Sequence, residues 1–296
     1  MSRFFACLFP LTALVALAAP LPAEGLSKED LSKAEELYQH TNYRASLRLL
    51  DQLLDPSSTN PAVGFLMARN SFMLGDFKKA ADYLEKATAS QPNNSEYMDW
   101  LGRAYGKRAE TSNPFSAPVF ASKARRAFER SVELDSKNTD ALSDLFDYYL
   151  EAPGFLGGGY DKALAVAEKM SAVDPPESYF AKAKLDQKRN EYQTAEQHLR
   201  QAVAAAPRGT GHIVALAELL ATEGRTRESD ALFLQAERIE PAAPQVWFAH
   251  ANTLIKQKRN PDEAKLLLER YLQAQVTVDD PPKDDAMRLL KQVGGA

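Results

Sequence analysis

The sequence predicts an all-α chain, a solenoid of about seven stacked helix pairs with a short capping helix at its C-terminal end. Three observations carry this. Apolar residues recur at i, i+3, i+4 and i+7 through most of the chain. The helical runs come in pairs joined by short polar turns. The pairs repeat about every 34 residues, and a unit of that size cannot bury its apolar face alone, so it must stack on copies of itself. The stretch from Thr210 to Pro241 is the clearest unit. Ile213, Leu216, Ala217 and Leu220 line a first helix, Gly224 breaks the pattern, and Leu232, Phe233, Ala236 and Ile239 line a second that Pro241 stops.

The first 23 residues read differently. Arg3 precedes the apolar run Phe4 to Ala19, and small residues at Ala16-Leu17-Ala18 and Leu21-Pro22-Ala23 offer cleavage contexts. This is the layout of a signal peptide. The alternative is an anchor that is never removed, but the apolar run holds Pro10 and is short for a span. Cys7 is the only cysteine and lies inside this segment. Cleavage therefore leaves a chain with no disulfide, thiol nucleophile or thiolate metal site, and the expected destination is the periplasm.

The remaining units follow in order. The first spans about residues 26–56, with Ser27 as N-cap, Asp30 in the capping-box position, and Leu31, Ala34, Leu37 and Tyr38 facing inward. The second spans 61–94, with the turn Leu74-Gly75-Asp76-Phe77 and with Ala80, Leu84 and Ala87 packing its second helix. The third, 95–138, opens on Trp100-Leu101-Gly102-Arg103-Ala104-Tyr105. Its packing positions are Ala124, Phe128 and Ser131, 44 residues after those of unit two. The extra residues fall in the polar piece Ala109 to Ala121, which reads as a loop. The fourth unit, 139–175, uses Ala163, Ala167 and Met170 after the insertion Pro153 to Gly159. Units five (177–207), six (210–241) and seven (244–273) keep register, with anchors at Ala195, Ser229 and Ala264, steps of 32, 34 and 35 residues from Ala163. Asp279-Asp280-Pro281-Pro282 ends the array. A cap over 283–293 should turn Met287, Leu290 and Val293 inward.

Leu-Gly-x-x-Tyr at Leu101, Gly102 and Tyr105 resembles the first helix of a tetratricopeptide (TPR) repeat. The resemblance extends over roughly Leu26 to Gln273. It implies antiparallel helix pairs wound into a right-handed superhelix, first helices lining a concave face, and binding of a peptide or protein partner. Function does not follow from fold alone.

Two surfaces are candidates for that partner. The concave face should present Arg69, Phe72, Asp99, Arg103, Asp147, Lys184, Gln187, Glu218 and Lys256. This mixed lining lacks a Lys/Asn/Arg carboxylate clamp, although Arg69 and Arg103 together suit bidentate pairing with one carboxylate. Both insertions sit between first and second helices, so they emerge from one edge, one unit apart. There Phe115, Val119, Phe120, Phe155 and Leu156 either form an apolar lip or, on the plainer reading, pack the insertions onto neighbouring helices.

Other chemistry finds little support. The net charge of −4 and pI near 5.7 give nucleic acid or a polybasic membrane contact no basis. Pro153 to Gly159 lacks the Lys-Ser/Thr of a phosphate loop, and its glycines are expected to serve positive φ in a tight turn. His40, His198, His212 and His250 form no His-Glu-x-x-His pair, and no Gly-x-Ser-x-Gly elbow occurs. Lys123-Ala124-Arg125-Arg126 reads as a solvated helix face or an acidic-partner contact. The sequence thus predicts a cofactor-free, metal-free, non-catalytic scaffold in the cell envelope. Its alternatives are a subunit of an envelope assembly machine (pilus, outer-membrane or cytochrome assembly) and a hydrolase built on the insertion edge.

Overall fold

The computed structural model describes residues 28–53 and 60–294. The signal-peptide reading, the Ser27 cap and the end of the first unit lie outside these residues. The described chain is all helical, in seven antiparallel pairs. They are α1 (Lys28–Gln39) with α2 (Tyr43–Leu53), α3 (Pro61–Met73) with α4 (Phe77–Ser90), and α5 (Ser95–Thr111) with α6 (Ala117–Leu134). Then come α7 (Thr139–Glu151) with α8 (Tyr160–Met170), α9 (Pro175–Lys188) with α10 (Tyr192–Ala205), α11 (Thr210–Thr222) with α12 (Thr226–Ile239), and α13 (Pro244–Lys256) with α14 (Pro261–Gln273). α15 (Lys283–Gly294) closes the array.

The helices begin and end for local reasons. Asn60, Asp76, Asn94, Asn138 and Asp174 accept hydrogen bonds from backbone N–H groups of the first turns of α3, α4, α5, α7 and α9, satisfying donors that a helix start leaves open. Five first helices end on a left-handed residue: Thr41, Gly75, Asn190, Gly224 and Lys258 all have positive φ. The next N–H bonds back five residues, as in Asp76 to Ser71 at 2.9 Å and Arg225 to Leu220 at 2.9 Å, which is a Schellman closure. The repeat is thus written into the backbone as well as the side chains.

The anchor positions carry the stacking. Ala80, Leu84, Ala124, Ala163, Ala167, Ala195, Leu199, Ser229, Phe233, Ala264 and Leu268 are all buried. A Cβ at Gly102 would lie 2.5 Å from the Phe128 ring, so glycine here admits the second helix. Each first helix from α1 through α7 also packs on the next first helix, and α11 packs on α13. Among the described residues no comparable packing joins the second helices. First helices therefore line the inner curve of the solenoid.

Two expectations need correction. The residues 109–121 are mostly not a loop: they lengthen α5 and α6, leaving only 112–116 as the connection. Asn113 braces that connection by accepting from the N–H groups of Phe115 (3.0 Å) and Ser116 (3.1 Å). In α15, Ala286 is the buried residue, with Leu289, Leu290 and Val293 packed on α13 and α14, while Met287 points to solvent. The apolar stripe is rotated by one position because the small Ala286 allows the closest approach.

Candidate protein-binding site

On the inner curve, opposite charges from successive first helices meet. Arg69 on α3 pairs with Glu35 on α1 at 3.1 Å. Arg103 on α5 pairs with Asp99 at 3.1 Å and with Asp144 on α7. Asp147 on α7 pairs with Lys184 on α9, and Glu151 with Lys188 at 2.6 Å. Glu177 on α9 lies 3.5 Å from His212 on α11. Trp100 sits between the two arginines: the Arg69 guanidinium is 5.4 Å and the Arg103 guanidinium 4.9 Å from its ring. Phe72 meets the same ring edge-on at 5.5 Å. Arg69 also lies 4.1 Å over Tyr38. These stacks hold the arginines by the ring quadrupole as well as by charge.

The suggested two-arginine clamp is thus occupied from within. Each guanidinium already has a carboxylate partner, and an incoming carboxylate would have to displace it. Asp99, expected on the open face, is 2 % exposed. Burial pushes its carboxyl up to about 8, and the adjacent Asp144, with which it shares a hydrogen bond, adds to this against the pull of Arg103. Burial likewise raises Asp147, opposed by Lys184, and raises Glu218, opposed by Lys256. Beside Arg69 the inner face keeps a hollow of about 730 Å³, bounded by Leu31, Glu35, Phe65 and Glu96.

The edge bearing the insertions differs. Phe115 is 94 % and Phe155 83 % exposed, so the expectation that these aromatics pack their insertions down is wrong for both. Phe115 stands on the connection between two long helices, where no neighbouring helix reaches. Phe155 tops a 3-10 turn at Gly154–Leu156. Phe120 does pack inward, stacked 6.3 Å from Tyr105 and with the Arg108 guanidinium 4.0 Å from its ring. Leu156 is half-buried, and its carbonyl accepts from the Tyr148 hydroxyl at 2.9 Å. Gly157 and Gly159 take positive φ as expected. Gly157 lies against Arg125, and a Cβ at Gly158 would meet the Ala152 carbonyl at 1.8 Å. The two insertions are thereby joined through α6, on which the 3-10 turn rests. Val119 adds apolar surface on the same edge, and Leu74, Tyr160 and Tyr192 lie at the neighbouring turns.

The sequence reading missed Trp100, Glu35 and Asp144 as partners of the inner charges. A signal was present: Glu35 and Arg69 are 34 residues apart, and Asp147 and Lys184 are 37 apart. Opposite charges one repeat apart on first helices will meet. The reading also missed a groove of about 900 Å³ between α6 and α8, floored by Val132, Leu145 and Val166 and rimmed by Lys137 and Lys169. Among the described residues no group of three His, Cys, Asp or Glu side chains could hold a metal ion, and no helix is long and apolar enough to cross a membrane.

Known proteins agree with this architecture. Residues 30–99 match the tetratricopeptide repeat family, while no curated protein matches the chain. A solved thermophilic TPR protein from Thermus thermophilus superposes with a TM-score of 0.54 at 21% identity, over 65% of this chain and 97% of its own. A solved tetratricopeptide repeat protein from Parabacteroides merdae gives 0.58 at 14% identity, over 90% and 98%. Folds of this kind serve protein–protein interaction. Residues 30–99 thus carry the tetratricopeptide repeat, and the helix pairs that follow them share the fold of these solved proteins.

Proposed function

We propose that the chain is a non-catalytic scaffold of the cell envelope that holds a protein partner at the edge where its insertions emerge. One observation carries this reading. The inner charges are paired with each other, whereas Phe115 and Phe155 stand exposed on adjacent units. Burying one such ring on a partner contributes about 1.5–3 kcal/mol, and large aromatics dominate protein interfaces. The leader-like first 23 residues support export, with the mature chain beginning after Ala18 or Ala23.

The test is an in-cell crosslinking pull-down with the exported protein beside Phe115→Ser/Phe155→Ser. Loss of the crosslinked partner with the folded double variant is the expected result. A partner retained at full yield sinks the edge reading and directs attention to the hollow beside Arg69. Intact mass of the exported chain tests the leader, since retention of residues 1–18 contradicts cleavage.

A further inference from the structure

The linker between α14 and α15 does more than join them. Its base is pinned to unit seven. The Tyr271 hydroxyl donates to the Pro281 carbonyl, and Lys283 Nζ donates to the carbonyls of Leu272 and Ala274, both at 2.8 Å. Its tip is braced internally, with Asp280 Oδ2 accepting from Thr277 N at 2.8 Å and Thr277 Oγ1 at 3.1 Å. Between them, residues 275–277 run without helix and the chain turns at residues 278–279. Val276, before the turn, buries into the core of unit seven. Val278 instead packs against the cluster where unit one meets unit two, which holds Tyr38, Tyr43, Leu47 and Leu50. Gln275 Nε2 donates to His40 Nδ1 at 2.8 Å, across 235 residues of sequence. Asp279 lies close enough to add to the burial that pushes the Tyr43 hydroxyl up to about 12. The C-terminal end of the solenoid therefore touches its N-terminal end.

We propose that unit one carries a binding site for a segment of the type Gln-x-x-Val, and that residues 275–280 fill it in cis as a latch. The site is built rather than incidental. It has an apolar socket for Val278, a ring nitrogen on His40 that accepts an amide N–H, and a mouth where Asp279 is exposed and Asp280 half-exposed. The linker is anchored at both ends, and no backbone ladder commits its tip to unit one. A tip held by one valine and one amide is released by a competing segment of the same chemistry. Release opens the closed solenoid and uncovers the socket. A short tether presents its segment at an effective concentration of the millimolar order, so the cis segment excludes weak competitors.

The test uses the full chain with Cys7→Ser. First, His40→Cys/Gln275→Cys should form an intramolecular disulfide on mild oxidation. Second, a labelled peptide covering residues 274–282 should bind a variant whose residues 275–280 are replaced by Gly and Ser at equal length. It should bind wild type at least about tenfold more weakly, and Leu47→Asp in the replaced variant should abolish binding. Small-angle scattering should show a larger radius of gyration for the replaced variant at unchanged helix content. Absence of the disulfide together with no peptide binding to the replaced variant overturns the proposal. So does equal peptide binding to wild type and variant. If the replaced variant loses helix content, Val278→Asp takes its place in the same binding and scattering measurements.

Discussion

Units three and four differ from units one, two, five, six and seven at one place, the turn from first to second helix. The five regular units close that turn with a left-handed residue, at Thr41, Gly75, Asn190, Gly224 and Lys258, steps of 34 residues within each run. The two irregular units abandon that closure. Unit three lengthens both helices and unit four inserts a 3-10 turn. Yet the anchors behind the turns are unchanged, with Ala124 and Phe128 buried like Ser229 and Phe233. Stacking and turn are thus separable. A repeat can change its edge freely because its neighbours read only the anchors, and that freedom is where the exposed aromatics arise.

If stacking is indifferent to the turn, the same anchor should matter equally in both regions. Phe128→Ala and Phe233→Ala should each destabilise by about 3–5 kcal/mol in urea titration. A much smaller loss at Phe128 would mean that the longer helices of unit three stack differently. The neighbouring position sharpens this. Gly102→Ala should lose about 1–3 kcal/mol by overpacking against Phe128, whereas unit six carries the buried Ala217 at the same register, and Ala217→Gly should lose about 1 kcal/mol. Stabilisation by Gly102→Ala would show that the Phe128 ring can move aside.

The two regions should also answer pH with opposite sign. Asp99 in unit three has its pKa raised in the fold, so its contribution is present below the unfolded value near 3.8 and is lost as pH rises towards about 8. Asp99→Asn should flatten the fall in Tm between about pH 5 and 8. His250, in unit seven and stacked 4.4 Å on Phe233, is lowered chiefly by burial. Its contribution is present above its ordinary value near 6.5 and is lost as pH falls below it. His250→Gln should flatten the fall in Tm between about pH 6.5 and 5. A shared sign in the two variants would contradict the comparison.

The turn itself should respond least. Lys258→Gly removes a left-handed non-glycine residue and should raise stability by up to about 1 kcal/mol. Phe115→Ser and Phe155→Ser, on the irregular edge, should shift stability by no more than about 0.5 kcal/mol while removing the crosslinked partner.

Most of the fold was legible because its signals are local and repeated. Helical spacing and Gly75 and Gly224 at the turns each report a few residues of backbone, and periodicity multiplied the evidence. Ala109 to Ala121 was misread because Pro114 and Pro118 look like loop punctuation, yet Pro118 sits in the first turn of α6, where a missing N–H costs nothing. The inner face was half legible. Its residues were identified, but their pairing was not, since a charge on one helix says nothing of its partner until the repeats are set side by side.

The sequence by itself determined the helix pairs, their register and the two places where register is broken. Those properties depend on neighbours within one unit, where spacing alone decides which side chains meet. Only the tertiary structure decided that Arg69 and Arg103 are already paired, that Phe115 and Phe155 stay exposed, and that Val278 returns to unit one. Each of these depends on how far the solenoid turns over seven units, a sum of small rotations that no single repeat encodes.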